Sequence, residues 1–403
     1  MLPLSTDESF NFEILRTLSL ARYQGSDICD VLQAVSRITA GDIESFHDAF
    51  NNLADRVVAQ ADSLNAAEHP VSARDYYFRV ATYYRAADFY LHGNWDDPRI
   101  GTLWEKQTNA FNKAIALLPI PGERVVLKAE KFEIPAIFYR AGSGDDGVDR
   151  PTILAFNGYD GAQEELLHIC GFAALDRGYN FITFEGPGQP SVRRNQNLGF
   201  IVDWESVVTP VVDYAISQPG IDPKKLALFG YSFGGFLAVR AAAFEHRLAA
   251  VAAVDGVFDF HQALTNMFPQ ALKDLIDTAN VEMVDKVVIE TSSSADTPVS
   301  SRWGMQQGLW SFNIRSPSAF FEMSKGFTLK DVASKVRCPV WVGEAEHDIF
   351  FKGQPQLVKE ALGDLATLVR FTPEEAAAQH CHTGALVTMN QRVFDWFKPV
   401  LKW

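Results

Sequence analysis

A serine set between glycines, a cluster of carboxylates and two closely spaced histidines follow one another along this chain. Together they could carry out nucleophilic attack on a carbonyl. The serine lies in Gly230-Tyr231-Ser232-Phe233-Gly234, between the apolar run 225–229 and the alanine-rich stretch 236–243. That order reads as strand, turn and helix. Such a turn reverses the chain within a few atoms, and glycines beside the serine leave room for the reversal and lift its hydroxyl clear of the sheet. The N-terminus of the next helix offers free N–H groups that favour a developing oxyanion.

A neutral hydroxyl attacks poorly and needs a base, which in turn needs an orienting acid. Both are expected downstream, in the order serine, acid, histidine. The expected strand 339–343 runs into Glu344-Ala345-Glu346-His347-Asp348. Asp348 is the expected acid, because Glu344 lies too near the strand end to swing across and Glu346 reads as a solvated loop residue. His347 reads as a surface or structural histidine. After the expected strand 366–371 comes His380-Cys381-His382, and one of these two histidines is the expected base. Their i, i+2 spacing on an irregular loop, with no partner cluster elsewhere, does not describe a metal pair. The chemistry expected here uses no metal and no cofactor.

Attack on a carbonyl puts negative charge on oxygen. The amides of Phe233 and of Tyr159, in the glycine-rich loop Asn157-Gly158-Tyr159-Asp160-Gly161, are the expected oxyanion donors, each worth ~3 kcal/mol. Gly158 and Asp160 would then border the substrate. Glu185, in Glu185-Gly186-Pro187-Gly188-Gln189, reads as part of a rigid turn first and a substrate contact second. Asp255, ending the sixth expected strand, reads first as a cap for the loop after it and second as a substrate contact that protonates a carbanion.

Positioning these groups takes a sheet. From residue 123 onward, short apolar runs alternate with turn residues and helical stretches, the pattern of an α/β fold. Strands are expected at 124–128, 134–139, 152–156, 180–184, 225–229, 250–254, 339–343 and 366–371. Residues 257–337 are too long for a simple crossover and read as a helical lid inserted over the sheet's carboxyl edge.

Residues 1–122 read instead as a separate helical domain. Ile28, Val31, Leu32, Val35 and Ile38 mark one apolar face, and Ile43, Phe46, Phe50, Leu53, Val57 and Leu64 another. Ser72 is placed to cap a third helix whose tyrosines, Tyr76 to Tyr90, read first as packing and second as pocket lining. Asp97-Pro98 opens a fourth, which Pro119 to Gly122 closes.

With 403 residues, 47% hydrophobic and 21% charged, the chain can bury a large core. Its net charge of −14 disfavours nucleic acid. The first residues lack a basic and an apolar segment, against a secretory signal, and no run approaches a membrane span. Four scattered cysteines without a C-x-x-C pair, and no N-x-S/T sequon, fit a reducing, cytoplasmic setting.

In combination, Tyr83-Tyr84-Arg85-Ala86-Ala87, Asn157 to Gly161, Glu185 to Gln189, Gly230 to Gly235 and His380-Cys381 resemble α/β hydrolases related to 2,6-dihydroxypseudooxynicotine hydrolase. FrsA-like esterases and fungal yellowish-green-pigment hydrolases that shorten polyketides belong to the same group. The resemblance spans nearly the whole chain, although the group usually has aspartate at the position of Glu185 and glycine at that of Pro190. It implies the α/β-hydrolase fold, with a mostly parallel eight-stranded sheet and a helical domain covering the site. It also implies His380 as base, a homodimer, and hydrolysis of an ester, or of a carbon–carbon bond beside a ketone, in a small aromatic or polyketide-like molecule. An acyltransferase with the same residues, or a hydrolase-like protein that only binds ligand, are the alternatives.

Overall fold

The computed structural model describes residues 2–142, 146–278 and 280–403. They divide into two compact units. Met1–Gly122 and Thr291–Trp310 make up the first, and Glu123–Glu290 with Ser311–Trp403 the second. The stretch expected as one insertion, 257–337, is thus shared: its middle belongs to the helical unit and its two ends to the sheet unit.

Five helices dominate the first unit: α1 (Glu8–Ser19), α2 (Ile28–Val35), α3 (Ile43–Asp62), α4 (Pro70–Asp88) and α5 (Pro98–Ala116). Asp7, Asp27, Asp42 and Asp97 cap four of them by accepting backbone N–H bonds. Helix α4 starts at Pro70, earlier than the expected Ser72 cap. Proline suits the first helical position, since its φ is preset and the N–H it lacks would have no partner there. Helix α1 lies outside the apolar faces expected above, and its Phe10 and Ile14 are wholly buried.

The tyrosine face of α4, apart from half-buried Tyr76 and together with Tyr90 just beyond the helix, is packing. Tyr77, Tyr83, Tyr84 and Tyr90 are all buried, and their hydroxyls bond to Asp62, Asp30, Asp55 and Ser9 of the same unit. Two of these contacts repeat at a seven-residue step. Tyr84 donates to Asp55 at 2.6 Å and Lys106 meets the same carboxylate at 3.1 Å. Two helical turns on, Tyr77 donates to Asp62 at 2.7 Å, and Lys113 joins it at 3.2 Å. The repeat ties α4 to both α3 and α5, because residues seven apart share a helix face. Residues 291–310 join this unit through aromatic stacking. Trp303 lies on Phe89 at 4.8 Å, and Trp310 on His92 at 4.0 Å.

All eight expected strands form one sheet in the second unit: β1 (Glu123–Lys128), β2 (Glu133–Tyr139), β3 (Arg150–Phe156), β4 (Asn180–Phe184), β5 (Ile221–Tyr231), β6 (Ala250–Val254), β7 (Val340–Ala345) and β8 (Ala366–Phe371). The order is β1-β2-β4-β3-β5-β6-β7-β8. Only β2 runs against its neighbours; β4 to β8 pair in parallel. Inner strands such as Ala250–Val254 are buried along their whole length, as helices covering both faces require. Edge strand β8 mixes buried and exposed positions. Parallel pairing brings the ends of β3, β5, β6 and β7 to one edge of the sheet, where open α/β sheets bind ligands.

Tyr84→Phe and Tyr77→Phe should each lower the stability of the full chain by about 1 kcal/mol, the worth of one half-exposed bond to a carboxylate. Urea unfolding would measure it, and unchanged midpoints in both variants would show that the ladder adds nothing.

Candidate active site

The turn after β5 is possible only because side chains are missing. A Cβ on Gly230 would stand 2.0 Å from the carbonyl oxygen of Gly234, and one on Gly235 would stand 2.8 Å from that of Asp255. Ser232 itself takes a left-handed conformation, φ 61°, which costs a non-glycine residue about 1 kcal/mol or more. Its N–H donates to Val254 at 3.0 Å, and Gly235 N–H closes the turn on its carbonyl at 2.7 Å. The result is a half-buried serine whose neighbours Tyr231 and Phe233 are buried.

Ser232 Oγ lies 2.9 Å from His380 Nε2, and His380 Nδ1 lies 2.9 Å from Asp348 Oδ2. The other oxygen of Asp348 accepts the amides of Phe350 and Phe351, at 2.7 and 2.9 Å. That turn fixes the carboxylate independently of the histidine. Of the neighbouring acids, Glu346 is exposed and Glu344 pairs with Arg370 at 3.1 Å, so neither meets the imidazole. Phe350 and Phe351 stand edge-on to the His380 ring, 4.9 and 5.4 Å away.

Burial works against charge on both partners, and their attraction outweighs it. His380 is held well above the ordinary histidine range despite desolvation, by Asp348, Cys381 and Asp255. Asp348 is held below the carboxylate range despite desolvation, by the imidazole and the two amides.

His382, the other candidate base, has different neighbours. It is fully buried and stacks on Phe371 at 3.6 Å, and its Nδ1 faces the carbonyl of Ala377 at 3.3 Å. Desolvation pushes it down to about 3, so it stays neutral.

Gly158 brings the loop after β3 against the turn. A Cβ there would stand 2.5 Å from the Phe233 nitrogen and 2.8 Å from that of Gly234, so only glycine lets the two backbones approach. Asn157 braces the loop by donating to Ala162 at 2.8 Å, and Gln189 donates to the Asn157 carbonyl. Tyr159 and Asp160 are half-buried. The Tyr159 ring faces Phe233, Phe260 and Phe312 at 5.9 to 6.5 Å.

Two carboxylates whose second reading was a substrate contact are bound by protein groups. Glu185 is fully buried and accepts Gln163 N–H at 2.8 Å, Ser191 N–H at 2.7 Å and the Ser191 hydroxyl. It braces the turn, and burial together with Glu164 pushes its carboxyl up to about 7. Asp255 is fully buried too, with Oδ2 2.8 Å from His380 Nδ1 and accepting the Cys381 amide. It sits at the ring nitrogen opposite Ser232, which leaves it misplaced to protonate a departing carbon.

Sequence reasoning missed this second carboxylate on the imidazole. The one signal was an aspartate closing a buried strand, and its partner depended on how the His380 loop folds. Asp255, His380 and Cys381 also present donor atoms within 4.8 Å of one another, but His380 Nδ1 and Asp255 Oδ2 are already engaged with each other.

Comparison with known proteins agrees with this architecture. A family model described as the alpha/beta hydrolase family matches residues 154–393. The chain is 31% identical to the hydrolyase poxO of Penicillium oxalicum, over 96% of each chain. It is 30% identical to the hydrolase LUC6 of a Fusarium species, over 96% of this chain and 95% of that one. Identity to the 20-hydroxy-prefusarin hydrolase FUS2 of Gibberella moniliformis is 28%, again over 96% and 95%. Among solved structures it is similar to 2,6-dihydroxy-pseudo-oxynicotine hydrolase, with a TM-score of 0.74, 21% identity and 95% of each chain covered. That likeness bears on the fold alone. A family match over more than half of the chain, and relatives of this identity along nearly all of it, mean that the protein belongs to the alpha/beta hydrolase family.

Proposed function

We propose that this protein is a serine hydrolase that cleaves an ester, or a carbon–carbon bond beside a ketone, in a small aromatic or polyketide-like molecule. The reading is carried by the chain of contacts from Ser232 Oγ through His380 to Asp348, with both links at 2.9 Å. Ser232 attacks the carbonyl while His380 Nε2 takes its proton. Asp348 keeps the imidazole turned toward the serine and stabilises it once charged. The amides of Phe233 and Tyr159 donate hydrogen bonds to the oxygen that gains the negative charge.

Return of the proton from Nε2 releases the leaving group, and water repeats the cycle on the acyl-enzyme. An alkoxide leaves readily. A carbanion leaves only where a neighbouring carbonyl or electron-poor ring delocalises it, so carbon–carbon cleavage calls for a β-diketone or an acyl-phenol. Two observations support an aromatic or extended apolar substrate. Tyr159, Phe233, Phe260 and Phe312 cluster beside the serine, and the relative FUS2 is named for 20-hydroxy-prefusarin.

Wild-type protein and Ser232→Ala should be given an aryl ester and a phenolic β-diketone, with products read by mass spectrometry. Carbon–carbon products from wild type and none from the variant are expected. Ester turnover alone would narrow the reading to an esterase or acyltransferase, and an inert wild type that also resists a fluorophosphonate would end it.

Gly158→Ala should cost about 100-fold in kcat on the ester, because the added methyl group pushes the loop off the Phe233 amide. An unchanged kcat in folded protein would remove this loop from the oxyanion site.

The base works only when neutral, so kcat/KM should rise with pH along a limb lying above 6.5, the ordinary histidine value. A pH-rate profile with its acid limb below that value would contradict the role given to His380.

A further inference from the structure

Two aspartates meet one imidazole nitrogen. Asp348 Oδ2 lies 2.9 Å from His380 Nδ1 and Asp255 Oδ2 lies 2.8 Å from it, one carried on the loop after β7 and the other at the end of β6. A single N–H can satisfy one acceptor fully or two in part. We propose that Asp255 is a second positioning carboxylate for His380, able to keep the imidazole turned toward Ser232 when Asp348 is neutralised. The proposal deepens the serine-hydrolase reading and rests on it.

The two carboxylates are not equivalent. Asp348 Oδ1 accepts two amides, which favours its ionised form. Asp255 accepts the Cys381 amide on Oδ2, while its Oδ1 faces His382 Nε2 at 4.0 Å. Neither of those last two atoms has a hydrogen-bonding partner among the described residues. The titratable groups around Asp255 are therefore Asp348, His380, Cys381 and His382, and among them only His380 brings positive charge. Burial and the Asp348 charge push Asp255 up to about 6, whereas Asp348 stays low. Above that pH both are ionised, and both raise the proton affinity of His380.

Charge separates this role from loop capping. Asp255 adopts φ 59°, a left-handed conformation that glycine would take without strain. Capping the Cys381 amide needs an oxygen but no charge. Asparagine at 255 keeps the oxygen and removes the charge, so the two roles come apart in one substitution.

The test measures kcat/KM on an aryl ester, across pH, for the full chain as wild type, Asp255→Asn, Asp348→Asn and the double variant, each shown folded by circular dichroism. The double variant should be slower than Asp348→Asn by about tenfold or more, since the second carboxylate is then lost as well. Asp255→Asn alone should move the acid limb to lower pH. A double variant as fast as Asp348→Asn, with the limb of Asp255→Asn unmoved, would overturn the proposal.

Failure of the hydrolase reading looks different: wild type would turn over no ester, or Ser232→Ala would match it. The imidazole can then be titrated directly by NMR. A His380 midpoint lower in Asp255→Asn than in wild type supports the second carboxylate, and an equal midpoint overturns it.

Discussion

Everything at the carboxyl edge of this sheet depends on backbone approaching backbone without side chains between. Gly230, Gly235 and Gly158 each sit where a methyl group would strike a neighbouring main-chain atom, and these contacts join β5, the end of β6 and the loop after β3. Packed this closely, the turn holds Ser232 in a left-handed conformation that an isolated peptide would avoid. Asp255, Cys381 and His382 have positive φ as well, so four strained non-glycine residues surround one site. Such strain persists only where the surrounding structure over-determines it. Here that structure is a set of inner strands buried along their length.

The second constraint is electrostatic. Placing an imidazole and two carboxylates where water is scarce is unfavourable for each alone, and becomes tolerable because opposite charges touch and the remaining lone pairs find amides. Asp348 draws on Phe350 and Phe351, and Asp255 on Cys381. His382, two residues from His380, has no carboxylate at hydrogen-bond distance among the described residues, and desolvation drives it to its neutral form. Two histidines of one loop thus take opposite electrostatic fates, decided by what faces each ring.

The helical unit solves a different problem. Its polar groups lie on helix faces that must bury tyrosine and tryptophan, and it satisfies the buried hydroxyls with aspartates one helix away. Residues 291–310 join it although nearly 170 positions separate them from Gly122. The indoles of Trp303 and Trp310 stack on Phe89 and His92, partners that no local pattern in 291–310 could name.

Eight strands, the helical start and the glycine-flanked turn at Ser232 were legible in the sequence alone, and so was the approach of Asp348, not Glu344 or Glu346, to the histidine loop. Each rests on local physics: alternation of apolar runs, glycine where the chain reverses, and a carboxylate far enough past a strand to reach across. Which of His380 and His382 would face Ser232 was not local, because both follow the same strand on the same loop. Tertiary structure decided it, by turning one ring toward Ser232 and burying the other against Phe371. It also decided that Asp255 meets the imidazole, and that Gln163 and Ser191 are the groups through which Glu185 braces its turn. A carboxylate's partner depends on which loops converge at the sheet edge, and that convergence is a property of the assembled strands, not of any one stretch of chain.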